Sequence, residues 1–130
     1  MDKNIIGEYY QIIKSKISQA NFDSAMDNIE KLIYNFPSDE YGYYYRGVCE
    51  FARGDYPDSI KSYSKALKLN PGFGKAYFNL GVSHYMLNDY DNALINIGKA
   101  LIVFSKLKQL ENKARCFDAL NFIEIERSSF

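Results

Sequence analysis

Few residues in this chain are of the types that do chemistry, and their spacing does not assemble a reacting centre. There is one histidine, His84, and two cysteines, Cys49 and Cys116, far apart in the chain. They form neither a CxxC pair nor a metal-ligand spacing with His84, so no metal site and no catalytic residue is assigned. Both thiols read as buried side chains of a reducing compartment. His84 reads as a partly buried packing residue. Gly72-Phe73-Gly74 has no Lys-Ser/Thr after it and no strand before it, so it reads as a linker and not a phosphate cradle. Asp23, Asp55 and Asp89 sit in turns ahead of apolar helical patterns, where a carboxylate caps backbone N–H groups. No cofactor is implied, and an enzyme is not expected.

What remains is an excess of rings. Twelve Tyr and nine Phe stand in 130 residues with no Trp, beside 16 basic and 16 acidic residues. So aromatic a composition argues against disorder. A net charge of zero gives little attraction for phosphate, so stacking on single-stranded nucleic acid is not expected. The opening stretch, MDKNIIGEYYQIIKSKIS, holds no apolar run of the secretory kind, and none elsewhere reaches membrane-spanning length. The cytoplasm is the expected compartment, without membrane insertion. Twelve tyrosines exceed what a core absorbs, because each buried hydroxyl needs a partner. Some rings are therefore expected on a working surface.

The elements that position them follow from an internal repeat. Ala25, Ser59 and Ala93 align, as do Ile29, Tyr63 and Ile97, and Tyr9, Tyr43 and Tyr77. Gly47 aligns with Gly81, Lys65-Ala66-Leu67 with Lys99-Ala100-Leu101, and Pro37 with Pro71. The units are 6–39, 40–73 and 74–107, equal in length and without insertion. Each reads as two helices, in unit three about 75–87 and 91–104, with Asn88-Asp89-Tyr90-Asp91 turning between them. In unit two Gly54 suits the residue just past a helix, and Pro57 an early helical position. Gly47, Gly81, Ser59, Ala93, Ala66 and Ala100 leave no bulk where paired helices cross. Unit one has Ile13 and Leu32 at two of those places, which predicts a wider or shifted first pair. Arg46 is expected to pack its stem and keep its head in water. In the tail, Leu110, Ala114, Phe117, Leu120 and Ile123 predict one buried stripe on a final helix, about 108–127, with Ser128-Ser129-Phe130 frayed.

These residues resemble the tetratricopeptide repeat over about 100 of the 130 positions. The match is carried by Tyr43, Gly47, Ser59, Tyr63, Ala66 and Pro71, and by Tyr77, Leu80, Gly81, Ala93 and Ala100. The resemblance implies an all-α fold. It would be an α-solenoid of three antiparallel helix pairs with a seventh, C-terminal helix, forming a single domain over 1–130.

The resemblance also implies a concave surface lined by the first helix of each pair. Its fifth residue is Tyr10, Tyr44 and Phe78, expected exposed. Tyr41 and Lys75, Tyr45 and Asn79, and Lys14, Val48 and Val82 fill other lining places. These ten are the expected peptide-binding residues. Gly7, Gln11, Ser18, Ala52 and Met86 also project there, and the rings of Phe51 and Tyr85 are expected to pack between repeats. No carboxylate projects onto this face. Some family members clamp a chaperone's C-terminal carboxylate with Lys, Asn, Asn, Lys and Arg. Here those places hold Tyr10, Lys14, Tyr45, Lys75 and Asn79. Only Lys75 agrees, which argues against that clamp. The implied function is a non-enzymatic adaptor or chaperone-like module for an extended or helical protein segment with apolar anchors. The alternative is a structural protein that self-associates, as a homodimer, through the repeat edge or the last helix.

Overall fold

The computed structural model describes residues 2–129 and, among them, seven helices and no strand. These are α1 (Asp2–Ser18), α2 (Phe22–Asn35), α3 (Glu40–Ala52), α4 (Tyr56–Leu69), α5 (Gly74–Met86), α6 (Tyr90–Lys106) and α7 (Leu110–Ser128). The chain divides into two compact units, Met1–Leu69 with α1 to α4 and Asn70–Phe130 with α5 to α7. Neighbouring helices pack side by side within each: α1 on α2, α2 on α3, α3 on α4; then α5 on α6 and α6 on α7. This is the helix-pair stacking of an α-solenoid.

The helix ends repeat with the sequence period. Ala20, Gly54 and Asn88 hold the same place in successive repeats, and all have positive φ (57°, 82° and 61°), as does Lys108 (56°). Each closes its helix with the same two bonds. For Gly54, its own N–H reaches the Phe51 carbonyl at 2.9 Å and the Asp55 N–H reaches that of Glu50 at 2.9 Å. That pairing satisfies carbonyls the helix leaves open. At the start of α6 the Asp89 carboxylate accepts from the Asn92 N–H at 3.4 Å, as its turn position predicts. Asp23 does not cap. Asn21 is the residue ahead of α2 and makes no side-chain bond there, while Asp23 lies in the first turn and pairs with the Arg53 guanidinium.

The small residues do what close helix crossing requires. A Cβ on Gly47 would lie 2.6 Å from the Tyr63 ring, and one on Gly81 2.6 Å from Ile97 and 3.0 Å from the Ala93 carbonyl oxygen. Ser59, Ala66, Ala93 and Ala100 are fully buried. In unit one Ile13 and Leu32 are also fully buried, and α1 and α2 come close over less of their length than the other two pairs. Larger side chains sit at that crossing than in the other two pairs.

Three expectations need correction. The Arg46 head is not simply in water. Its Nε–H donates to Ser62 Oγ at 3.0 Å, its guanidinium lies over the Tyr43 ring, and Ser62 in turn donates to Glu50. Ser62 is almost fully buried, so a half-buried cation and a carboxylate share one satisfied hydroxyl. Second, the tail stripe is rotated. Cys116 and Ile123 are buried, with Ala119 and Leu120 packed beside them, whereas Leu110, Ala114 and Phe117 are exposed. Third, Ser128 is helical and Ser129 is the C-cap; Phe130 lies outside the described residues.

Candidate functional site

The first unit gathers tyrosines. Tyr10 comes from α1 and Tyr41, Tyr44 and Tyr45 from the first turns of α3, where steps of three and four residues bring side chains to one side. Their ring centroids lie 5.1 to 6.3 Å apart in tilted and edge-on pairs. Those are the separations at which ring quadrupoles attract. Tyr44 also meets Tyr63 at 5.9 Å.

A carboxylate belongs to this cluster, contrary to the sequence projection. The Tyr10 hydroxyl donates to both oxygens of Asp39 at 2.7 Å. Asp39 was missed because it precedes α3 and so lies on no helical face; only its place just ahead of a helix signalled it. Burial raises the Asp39 carboxyl above its ordinary value, outweighing the opposing effect of the Tyr10 bond. Burial also raises the Tyr10, Tyr41 and Tyr45 hydroxyls, with Asp39 adding to each. These tyrosines therefore stay neutral and keep their protons for donation.

The ten expected residues divide six and four between the two units. In the first, Lys14 is exposed and Tyr10, Tyr41, Tyr44 and Val48 are half-buried. Tyr45 is buried at 6% exposure and belongs to the core. Its ring supports the cluster from behind. In the second, Lys75 is exposed, while Phe78, Asn79 and Val82 are half-buried. Tyr10, Tyr44 and Phe78 are thus less open than expected, because each packs against a core. Phe78 additionally carries the Arg115 guanidinium from α7, 5.7 Å from its ring centre. Gly7 and Gln11 line a shallow depression on α1 with Asn4, Glu8 and Ile12.

Other candidates are structural in their settings. Tyr85 stacks near Tyr90 and Phe122 at 5.8 and 5.9 Å, and its hydroxyl donates to Glu126 at 2.7 Å. That bond, with burial, pushes it up to about 12. Phe51 packs edge-on against Tyr56 at 5.1 Å. His84 Nδ1 lies 3.2 Å from the Asp89 carboxylate, clipping the end of α5 to the start of α6. Both cysteines are fully buried, and burial pushes the Cys49 thiol up to about 11 and raises that of Cys116. They are poor nucleophiles. Among the described residues no group of side chains could hold a metal ion, and no helix is long and apolar enough to cross a membrane.

Residues 49–88 match a family model described as TPR repeat, and residues 75–110 one described as tetratricopeptide repeat. The chain is 26% identical over 121 residues to Hsp70-Hsp90 organizing protein 2 of Arabidopsis thaliana, covering 92% of this chain and 21% of that protein. It thus spans about a fifth of that relative's length. Among solved structures it superposes on the TPR2B domain of yeast Sti1, in a complex described as TPR2B-domain:pHsp70. There the TM-score is 0.87 at 17% identity, covering 93% of this chain and 97% of that one. It also superposes on PcrH of Pseudomonas aeruginosa bound to the chaperone binding region of PopD. The TM-score is 0.89 at 17% identity, covering 98% and 96% of the two chains.

Proposed function

The chain belongs to the tetratricopeptide repeat family, and from that premise we propose that it is a non-enzymatic protein–protein interaction module of the cytoplasm. It holds an extended or helical peptide segment with apolar anchors and serves as an adaptor or chaperone-like protein. The observation that carries the reading is the tyrosine cluster of the first unit. Rings from two helices are stacked on one another, half-buried, with neutral hydroxyls beside a carboxylate. Rigid rings of this kind give large contact area at little entropic cost.

The residues also favour a type of peptide. Tyr10 and Tyr45 stand where the family's carboxylate clamp needs polar or cationic groups, and Asp39 adds a negative charge beside Tyr10. A terminal carboxylate is therefore repelled from this cluster, and an internal apolar segment is favoured. Its acidic side chains would find Lys14 or Lys75, both exposed. The Sti1 domain and PcrH, which share the fold, are each described in complex with another protein or part of one.

Affinity capture tests the reading with two variants. Tyr44→Ala with Phe78→Ala removes two rings, and far-UV circular dichroism checks the fold. Lys14→Glu with Lys75→Glu changes only exposed charge. The expected result is a partner retained by the native chain, lost with the first variant and weakened by the second. Identical capture by all three refutes the assignment.

A second reading, self-association as a homodimer, has one observation in its favour. The last helix exposes Leu110, Phe117, Phe122 and Ile125, at 73%, 51%, 54% and 68%.

A further inference from the structure

α7 presents two apolar faces, and the second unit covers one. Cys116 and Ile123 point into the core. On the opposite side Leu110, Ala114, Phe117 and Ile125 are exposed, with exposed Asn121 in the same line. The steps between them are four, three, four and four residues, the spacing of a narrow seam between two helices. The seam runs from Leu110 to Ile125 of the 19-residue helix, about 22 Å. Lys113 and Glu124 flank it on one side, and Asp118 on the other.

We propose that this seam is closed by the same seam of a second copy of the chain, the two α7 helices lying antiparallel about a twofold axis near Phe117 and Asp118. The proposal rests on the self-association reading above and gives it a surface and a register. Centred there, the pairing sets Leu110 against Ile125 and Ala114 against Asn121, so the length of the seam is covered in both copies. A twofold axis between antiparallel helices keeps like flanks together. Lys113 then comes within two residues' rise, about 3 Å, of Glu124 of the second copy. The contact occurs twice, so two opposite-charge pairs rim one apolar seam.

The existing contacts leave room for this. Arg127 donates to one Glu124 oxygen at 3.0 Å, and a carboxylate has a second oxygen to accept from Lys113 of the copy. The two Asp118 carboxylates come near each other at the axis, and Arg115, one turn away in each copy with its guanidinium over Phe78, offsets part of their repulsion. A parallel pairing would place Lys113 between Glu111 and Arg115 of the copy, and the match is lost. The zero net charge adds no long-range repulsion between copies.

One seam of this length is a small interface, so the dimer is weak and reversible, with dissociation on the order of 10 µM. Sedimentation velocity of the full chain, from about 1 to about 500 µM, reads it by mass action. Native protein is expected to pass from monomer to dimer. Phe117→Glu with Ile125→Glu, both at exposed positions, is expected to weaken association at least ~10-fold. Lys113→Glu alone is expected to weaken it, and adding Glu124→Lys to restore it. A strict monomer throughout overturns both the reading and the proposal. A dimer indifferent to Phe117→Glu with Ile125→Glu keeps self-association and overturns the α7 surface. Weakening by Lys113→Glu without rescue by Glu124→Lys overturns the antiparallel register.

Discussion

Replacing Ala20 by Gly is expected to stabilise the protein, and replacing Gly54 by Ala to destabilise it, although the two residues occupy the same place in successive repeats. Both have left-handed backbone, at φ 57° and 82°. Both close a helix with matching bonds: the Ala20 N–H reaches Ile17 at 2.9 Å and the Asn21 N–H reaches Lys16 at 2.8 Å. For a residue with a Cβ this conformation costs about 1–2 kcal/mol. Glycine removes that cost but brings back about 0.4–1 kcal/mol of freedom in the unfolded chain. The difference leaves Ala20→Gly more stable by about 0.5–1 kcal/mol, or roughly 2–5 °C in melting temperature for a chain of this size. Gly54→Ala is the mirror experiment. Nothing stands within 4 Å of the added Cβ, so the backbone alone decides and the loss is of the same size. Urea unfolding followed by circular dichroism reads both as midpoint shifts at constant slope. If Ala20→Gly lowers the midpoint, or Gly54→Ala leaves it unmoved, the repeat-wide helix closure is refuted.

Gly81→Ala is expected to destabilise by about 1–3 kcal/mol through overpacking against Ile97 and the Ala93 carbonyl, while Gly98→Ala, in open space, gains about 0.5–1 kcal/mol; denaturant midpoints compare them. Asp89→Ala is expected to cost about 0.5–2 kcal/mol by uncapping α6, measured the same way. The pH dependence has two opposed parts. Asp39 and Glu50 are raised mainly by burial, so the folded state holds their protons longer than the unfolded one; their contribution is fullest in acid and falls as pH rises through the raised values. Asp89 is lowered, chiefly by its bonds to Asn92, so its contribution is present above ordinary carboxylate values and is lost as pH falls through the lowered one. Asp39→Asn is expected to make stability climb more steeply with pH above the ordinary carboxylate range, read from midpoints across a pH series; an unchanged profile contradicts the burial argument. Tyr85→Phe breaks the bond to Glu126 and is expected to speed amide exchange in the last turns of α7, with α5 and α6 unaffected.

The repeat was legible because helix crossing leaves its mark on residue size. Gly47 and Gly81 face Tyr63 and Ile97, and Ile13 and Leu32 set the first pair apart from the other two. Helix closure was legible at Gly54 and at the Asn88 turn, whereas Ala20 and Lys108 are not residue types that favour positive φ. The site was less readable. Tyr41, Tyr44 and Tyr45 lie within a helical turn of one another, so a small rotation of α3 decides which ring is buried, and it is Tyr45. Asp39 enters from outside the helix, where no periodicity applies. On α7 the pattern was ambiguous in itself. Cys116, Leu120 and Ile123 make one apolar line and Leu110, Phe117 and Ile125 another, and only packing against α6 chooses between them.

What the tyrosine cluster binds is read most directly by selection from a displayed peptide library with matched internal and free C-terminal formats. The expected result is enrichment of internal segments carrying apolar or aromatic anchors, whose binding survives Tyr45→Phe but is lost with Tyr44→Ala and Phe78→Ala. Enrichment of short acidic sequences that require a free C-terminal carboxylate, insensitive to those two ring deletions, would contradict it.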